Sequence, residues 1–282
     1  MENSYRLVIA CPDTVGIVAA VSGFVAERGG WLLEASYHAD ETTGWFFMRN
    51  EIRADSLTVD RQTFCDDFQQ LADRYRMQWS LSESGQRKKM VIMASLASHC
   101  LADLLHRWHS GDLYCDIVAV IANHDNLRSM AEWYGVDFYH VDMQDKLVGN
   151  GRIETLLAQL QADVVVLARY MQIIPPALCQ QYQGRMINIH HSFLPSFIGA
   201  NPYQKAYERG VKLIGATCHY VTENLDEGPI IEQDVIRVNH RHNKDDMVRL
   251  GKDVETGVLA RGVRYHLEDR VLVQGNKTVI LD

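Results

Sequence analysis

The chain lacks any apolar run long enough to cross a bilayer, and its opening, MENSYRLVIACPD, has no basic region ahead of an apolar one. A spanning helix needs about 20 apolar residues and a signal peptide needs a charged start. A cytoplasmic protein, neither embedded nor exported, is therefore expected. Positive charge is also scarce: the net charge is -8, and basic residues are scattered apart from a short RKK run at 87–89. Nucleic-acid binding needs a basic stripe or patch, so a small-molecule substrate is expected instead. Among the six cysteines, Cys11, Cys65, Cys100, Cys115, Cys179 and Cys218, there is no C-x-x-C. A disulfide scaffold or zinc ribbon would need tighter spacing, which leaves reduced thiols and no metal. His240 and His242 have one-face strand spacing, but no third ligand stands nearby, and a solvated loop is the simpler reading. No G-x-G-x-x-G occurs, which argues against a dinucleotide, and no cofactor is expected.

What is present falls into two patterns. Over residues 5–81, YRLVIA, WLLEASYHAD, GWFFMRNEI and MQWSLS read as strands, and GIVAAVSGFVAERG and RQTFCDDFQQLADRY as helices. The order βαββαβ predicts a ferredoxin-like unit over 1–82. The polar stretch at 83–89 reads as a linker, and a second domain over 90–282 follows. There KMVIMAS, DIVAVIAN, VDFYHV, ADVVVLARYM and RMINIHH alternate with helical patterns. That rhythm predicts an α/β fold with a doubly wound, mostly parallel sheet. IGATCHYVT and GPIIEQDVIRV read as further strands, residues 243–269 as a long amphipathic helix, and VLVQGNKTVIL as a closing hairpin.

Chemistry concentrates in INIHHSFLPSFIGANPY and in the turn NLDEGP. If the first run ends a strand, Asn188 and His190 share a face and His191 points the other way. A loop can bring Asp226 back to the first two. An amide and an imidazole on one face suit a carbonyl that gains negative charge, and a nearby acid would hold the imidazole protonated. Taken alone, the N-x-H pair reads more simply as two polar residues capping a strand end. The Pro- and Gly-shaped loop after it lies where open α/β sheets place ligands.

INIHHSFLPSFIGANPY followed by GATCHYVTENLDEGPII resembles the folate-dependent formyltransferases and, among them, the formyltetrahydrofolate deformylase family, over nearly the whole chain. The resemblance implies that Asn188, His190 and Asp226 are the catalytic set around the formyl group. It implies a pterin wall at Met171, Gln172, Ile173 and Ile174, an opposite wall at Val221 and Leu225, and a loop contact at Gly199. The implied reaction is hydrolysis of 10-formyltetrahydrofolate to formate and tetrahydrofolate, with water as the partner, supplying formate for purine synthesis and balancing folate pools. SLASHCLADLL lacks the glycine-rich phosphate loop of glycinamide ribonucleotide formyltransferases, which leaves water as acceptor. Formyl transfer to methionyl-tRNA would need a basic RNA-binding domain after Asp234. An amino-acid-sensing regulator with an inactive core would be expected to lose Asn188, His190 or Asp226. Gln204 stands where several relatives have His.

The segment CPDTVGIVAAVSGFVAERGG is similar to ACT regulatory domains. This resemblance implies an amino-acid effector, methionine or glycine, at Asp13, Gly16 and Ile17, and a homodimer or homotetramer. A module that only pairs subunits is an equal alternative, and Trp31 and Leu32 replace the Asn-Ile of the ACT pattern.

Overall fold

The computed structural model describes residues 3–196 and 202–281, apart from the side chain of Pro202. Two compact units emerge, one of residues 1–87 with 268–274 and 278–282, the other of residues 88–267 with 275–277.

The first unit follows the expected βαββαβ order, with β1 (Ser4–Pro12), α1 (Ile17–Glu27), β2 (Leu32–Asp40), β3 (Trp45–Arg53), α2 (Arg61–Tyr75) and β4 (Gln78–Glu83). The strands form an antiparallel sheet in the order β2-β3-β1-β4. Strand alternation sends Leu7, Ile9 and Cys11 of β1, with Phe46, Met48 and Ile52 of β3, into the same core as Phe24, Phe64 and Phe68 of the helices. Val8, Ala10, Trp45 and Phe47 face the other way, where Leu272 and Leu281 cover them. Those two leucines belong to the C-terminal hairpin, whose strands are Val271–Gln274 and Lys277–Ile280.

The boundary read from the sequence therefore changes. All of the hairpin except residues 275–277 groups with the first unit rather than with a domain running from 90 to 282, because Phe47 and its neighbours need an apolar cover. The link between units shortens to 84–87, since β4 reaches Glu83 and the next strand starts at Lys88. Leu272 is 5% exposed, so Leu272→Ala should cost about 2–3 kcal/mol of stability. Urea unfolding followed by the fluorescence of the sheet's tryptophans would show it, and an unmoved midpoint would make the hairpin dispensable.

The second unit runs β5 (Lys88–Ala94), α3 (His99–His109), β6 (Cys115–Ala122), α4 (Arg128–Trp133), β7 (Phe138–His140), α5 (Lys146–Gln159), β8 (Val164–Ala168), α6 (Pro176–Gln181), β9 (Met186–His190), α7 (Pro202–Arg209), β10 (Leu213–Tyr220), β11 (Ile230–Arg237) and α8 (Lys244–Leu267). Its sheet order is β11-β10-β9-β8-β5-β6-β7. The strands from β9 to β7 are parallel, β10 pairs antiparallel with β9, and β11 pairs antiparallel with β10. β5 is apolar and buried from Met90 to Ala94, as befits a strand covered on both faces. The chain starts at β5, winds outward to β7, and returns through β8 and β9. Such a reversal opens a crevice beyond the carboxyl ends of the strands on either side. Among the described residues no helix is long and apolar enough to cross a membrane.

Candidate active site

Asn188 and His190 leave the same face of β9, at its carboxyl end. The antiparallel register of β9 with β10 sets His219 opposite Asn188 and Thr217 opposite His190. Directly opposed residues share a face, so His219 joins the pair. Asn188 Nδ2 lies 3.2 Å from His219 Nε2. His219 Nδ1 lies 2.9 Å from the Tyr220 carbonyl oxygen. In the neutral tautomer that satisfies both contacts, Nδ1–H donates to the carbonyl and Nε2 accepts from the Asn188 amide. One Asn188 N–H is thereby used and the second is left for a ligand.

Asp226 arrives from the turn between β10 and β11 in the left-handed conformation, φ 57°, which Asp tolerates better than most side chains. The turn is clamped at its far end, where Tyr220 N–H donates to the Pro229 carbonyl at 2.9 Å. Gly228 makes this possible, because a Cβ there would lie 1.8 Å from the Tyr220 carbonyl oxygen. Gly228→Ala should displace the turn and lower kcat/KM by about 10–100-fold, the scale of a misplacement near 1 Å. Steady-state assay of the folded variant checks this, and wild-type kinetics would mean that the turn tolerates the shift.

The carboxylate then sits between two imidazoles. Asp226 Oδ2 is 3.2 Å from His190 Nδ1, and Oδ1 is 3.7 Å from His219 Nε2, with the Asp226 side chain only 8% exposed. Burial alone would raise the Asp226 pKa. The hydrogen bond and charge of His190 outweigh it, with His219 also close by, and hold the carboxyl well below the usual carboxylate range. His190 is 5% exposed, and its other ring nitrogen, Nε2, is buried with no hydrogen-bond partner among the described residues. A buried donor left in this way is costly unless a ligand meets it.

These groups line a cavity of about 420 Å³. One wall is the segment after β8, residues 169–174, including Met171, Gln172, Ile173 and Ile174. The other runs from Val221 to Asp226 and includes Leu225. Ser95 at the end of β5 fixes the first wall: its Oγ accepts from Met171 N–H at 2.9 Å and donates to Asn123 Oδ1 at 2.6 Å. Met171, Ile173 and Leu225 are exposed while Ile174 is buried, so three large apolar side chains face the opening of a polar-floored cleft. That pattern suits a ligand with a flat apolar body. Gly199 lies outside the described residues.

His191 departs from the expected alternation. β9 ends at His190, so strand geometry no longer governs the next residue, and His191 lines this cleft as well. Its ring centroid is 5.2 Å from that of His190. Burial, reinforced by the Arg169 charge, pushes its pKa down to about 3, which keeps the ring neutral. Beside His190 in the β9–β10 register, Thr217 Oγ1 donates to the Ser192 carbonyl at 2.9 Å and accepts from Leu194 N–H at 3.0 Å. That pair anchors the start of the loop that follows β9.

Elsewhere, Gly16 is the N-cap of α1 at φ 95°, no side chain caps the helix, and Asp13 N–H donates to the Gly44 carbonyl at 2.8 Å. Ile17 is 2% exposed and belongs to the core of the first unit, so only its backbone is available to an effector. His242 Nδ1 accepts from Asn239 N–H at 3.0 Å in a loop outside any strand. His99, Cys100 and Glu255 place possible ligand atoms within 4.8 Å of one another. His99 and Glu255 already bond each other at 2.7 Å, and burial pushes the Cys100 thiol well up. These residues are poor candidates for a metal.

The formyl transferase family model matches residues 88–263. Formyltetrahydrofolate deformylase of Synechocystis sp. is 46% identical, covering 99% of this chain and 99% of that protein. Its Bacillus subtilis counterpart is 45% identical over 100% of this chain and 95% of that one. Among solved structures, a formyltetrahydrofolate deformylase from Pseudomonas syringae pv. tomato is 60% identical with TM-score 0.98, over 100% of this chain and 95% of that one. A glycinamide ribonucleotide transformylase from Symbiobacterium toebii is 28% identical with TM-score 0.67, over 70% of this chain and 95% of that one. Full-length likeness at these identities, with β9 and the turn after β10 framing one cleft, places the chain in the formyltetrahydrofolate deformylase family.

Proposed function

We propose that the cleft hydrolyses 10-formyltetrahydrofolate to formate and tetrahydrofolate in the cytoplasm. The observation that carries this reading is the orphaned, buried Nε2 of His190, whose ring is held from behind by an ionised Asp226. The pterin lies between the 169–174 and 221–225 walls, with the formyl group over Asn188 and His190. Water adds to the formyl carbon. The developing oxyanion accepts hydrogen bonds from the free N–H of Asn188 and from His190 Nε2–H. Asp226, touching Nδ1 of the same ring, orients the water and supports the protonated imidazole. One proton of the water passes through this pair to the folate nitrogen, the carbon–nitrogen bond breaks to give tetrahydrofolate and formic acid, and the acid's remaining proton goes to solvent as formate leaves.

Transfer to an amine is the less favoured reading, because the two relatives named above that match over the whole chain are deformylases, whereas the match to the ribonucleotide transformylase covers 70% of this chain. Formate release from 10-formyltetrahydrofolate with no amine added is the test. Stoichiometric formate supports hydrolysis, and turnover only on adding an amine overturns it.

For the βαββαβ module of residues 1–82, we propose an ACT-like role: pairing of subunits through the β2 edge into a homodimer or homotetramer, with methionine or glycine at the α1 N-terminus near Asp13, Gly16 and Ile17. The supporting features are the uncapped helix and the exposed Trp31, Leu33 and Tyr37 along that edge. Light scattering and amino-acid titration during turnover test the two parts separately.

A further inference from the structure

Beside the folate cleft lies a second cavity, of about 200 Å³, which the proposed chemistry leaves unused. Arg169 and His191 line both cavities. Its other charged groups are His99, Lys244, Lys252 and Glu255. Three permanent positive charges thus face one carboxylate, and that carboxylate is already committed. Glu255, 1% exposed, accepts from Tyr203 Oη at 2.6 Å and binds His99 Nε2 at 2.7 Å. Gly251, one helical turn earlier, admits the tyrosine, since a Cβ there would lie 2.0 Å from its hydroxyl oxygen.

Arg169 is the group left short. Its Nε forms an ion pair with Glu255 Oε2 at 3.5 Å but no hydrogen bond, and both Nε and Nη1 are buried without an acceptor among the described residues. The guanidinium is held there by a left-handed backbone, φ 62°, directly after β8. A guanidinium presents paired donors that match a carboxylate. The volume holds a small anion and a few waters, at about 30 Å³ per water.

We infer that this cavity is a binding and exit site for the carboxylate product, formate, which passes from the catalytic carbon by His191 to Arg169 and leaves past Lys244 and Lys252. His191, neutral and next to His190, lets the anion pass without trapping it as an ion pair. The inference rests on the hydrolytic reading, because hydrolysis is what generates formate as a free anion.

Titrating ¹³C-formate into folate-free protein by NMR, with inhibition of turnover by formate measured in parallel, tests it. Saturable binding is expected, with an inhibition constant raised about tenfold, or 1.4 kcal/mol, in the Lys244→Ala/Lys252→Ala variant and an unchanged KM for 10-formyltetrahydrofolate. Arg169→Gln should abolish the NMR-detected binding in protein with a wild-type melting profile. Absence of saturable formate binding in the wild type overturns the inference, as does equal inhibition of the double-lysine variant. Inorganic phosphate binding here far more tightly than formate would also overturn it, pointing to a phosphorylated ligand. Formate yield without an amine is measured independently, so failure of hydrolysis and failure of this site are distinguishable.

Discussion

Asp226→Asn should lower kcat by about a thousandfold and leave the protein folded. General acid–base groups contribute roughly 10²–10⁴, and in the proposed mechanism this carboxylate supports the imidazole and orients water at once. Asparagine is the informative replacement because it keeps the size of aspartate and tolerates the left-handed φ of 57°. Alanine would add backbone strain to the loss of charge. The amide places at most a neutral dipole against His190 Nδ1, so the imidazolium formed during proton transfer loses its counter-ion. Single-turnover formate release measures the effect, and a rate within tenfold of wild type would remove Asp226 from the chemistry.

The same carboxylate has a stability signature whose sign follows from its depressed pKa. A carboxyl held below its unfolded value, about 3.9 for Asp, stabilises the fold fully above that value. The contribution is lost as pH falls through the lower folded value. The stability gap between wild type and Asp226→Asn should therefore be constant near neutrality and close only at pH below about 4.

Much of this site was legible because its parts lie at strand ends and turns. N-x-H at the close of an apolar run and LDEGP between two β-rich runs placed Asn188, His190 and Asp226 before any pairing was known. His219 was not legible, since its membership depends on the register that opposes it to Asn188, and a sequence does not print long-range register. Its one local signal is a histidine inside the apolar run IGATCHYV. Glu255 and Arg169 were hidden for a similar reason: 86 positions separate them. Glu255 does leave a trace, because it falls on the buried stripe Gly251, Val258, Leu259 and Gly262 of α8, where an acid needs partners. The hairpin was read correctly as a hairpin and assigned to the wrong unit. Its burial depends on the two-sided exposure of β3, visible only as apolar residues at Trp45, Phe46, Phe47 and Met48 in succession.

His190→Ala should be about as damaging as the Asp226 change, near a thousandfold in kcat, with KM for 10-formyltetrahydrofolate moving only a few-fold. The reason is spatial. In the proposed mechanism His190 meets the formyl group at the floor of the cleft, and the exposed Met171, Ile173 and Leu225 at its opening would grip the pterin. Removing the ring deletes both the oxyanion donor and the proton route to the departing nitrogen. It also leaves Asp226 with His219 alone, at 3.7 Å, so the carboxyl should titrate closer to an ordinary aspartate. Asn188→Ala removes one donor and should cost about 10²–10³. Because Asn188 and His190 serve the same oxygen, their effects should not multiply. The double variant should fall only slightly below His190→Ala, as happens when groups act as one unit. Independent, fully multiplicative losses would place the two side chains on different steps, and the shared oxyanion site would have to be abandoned.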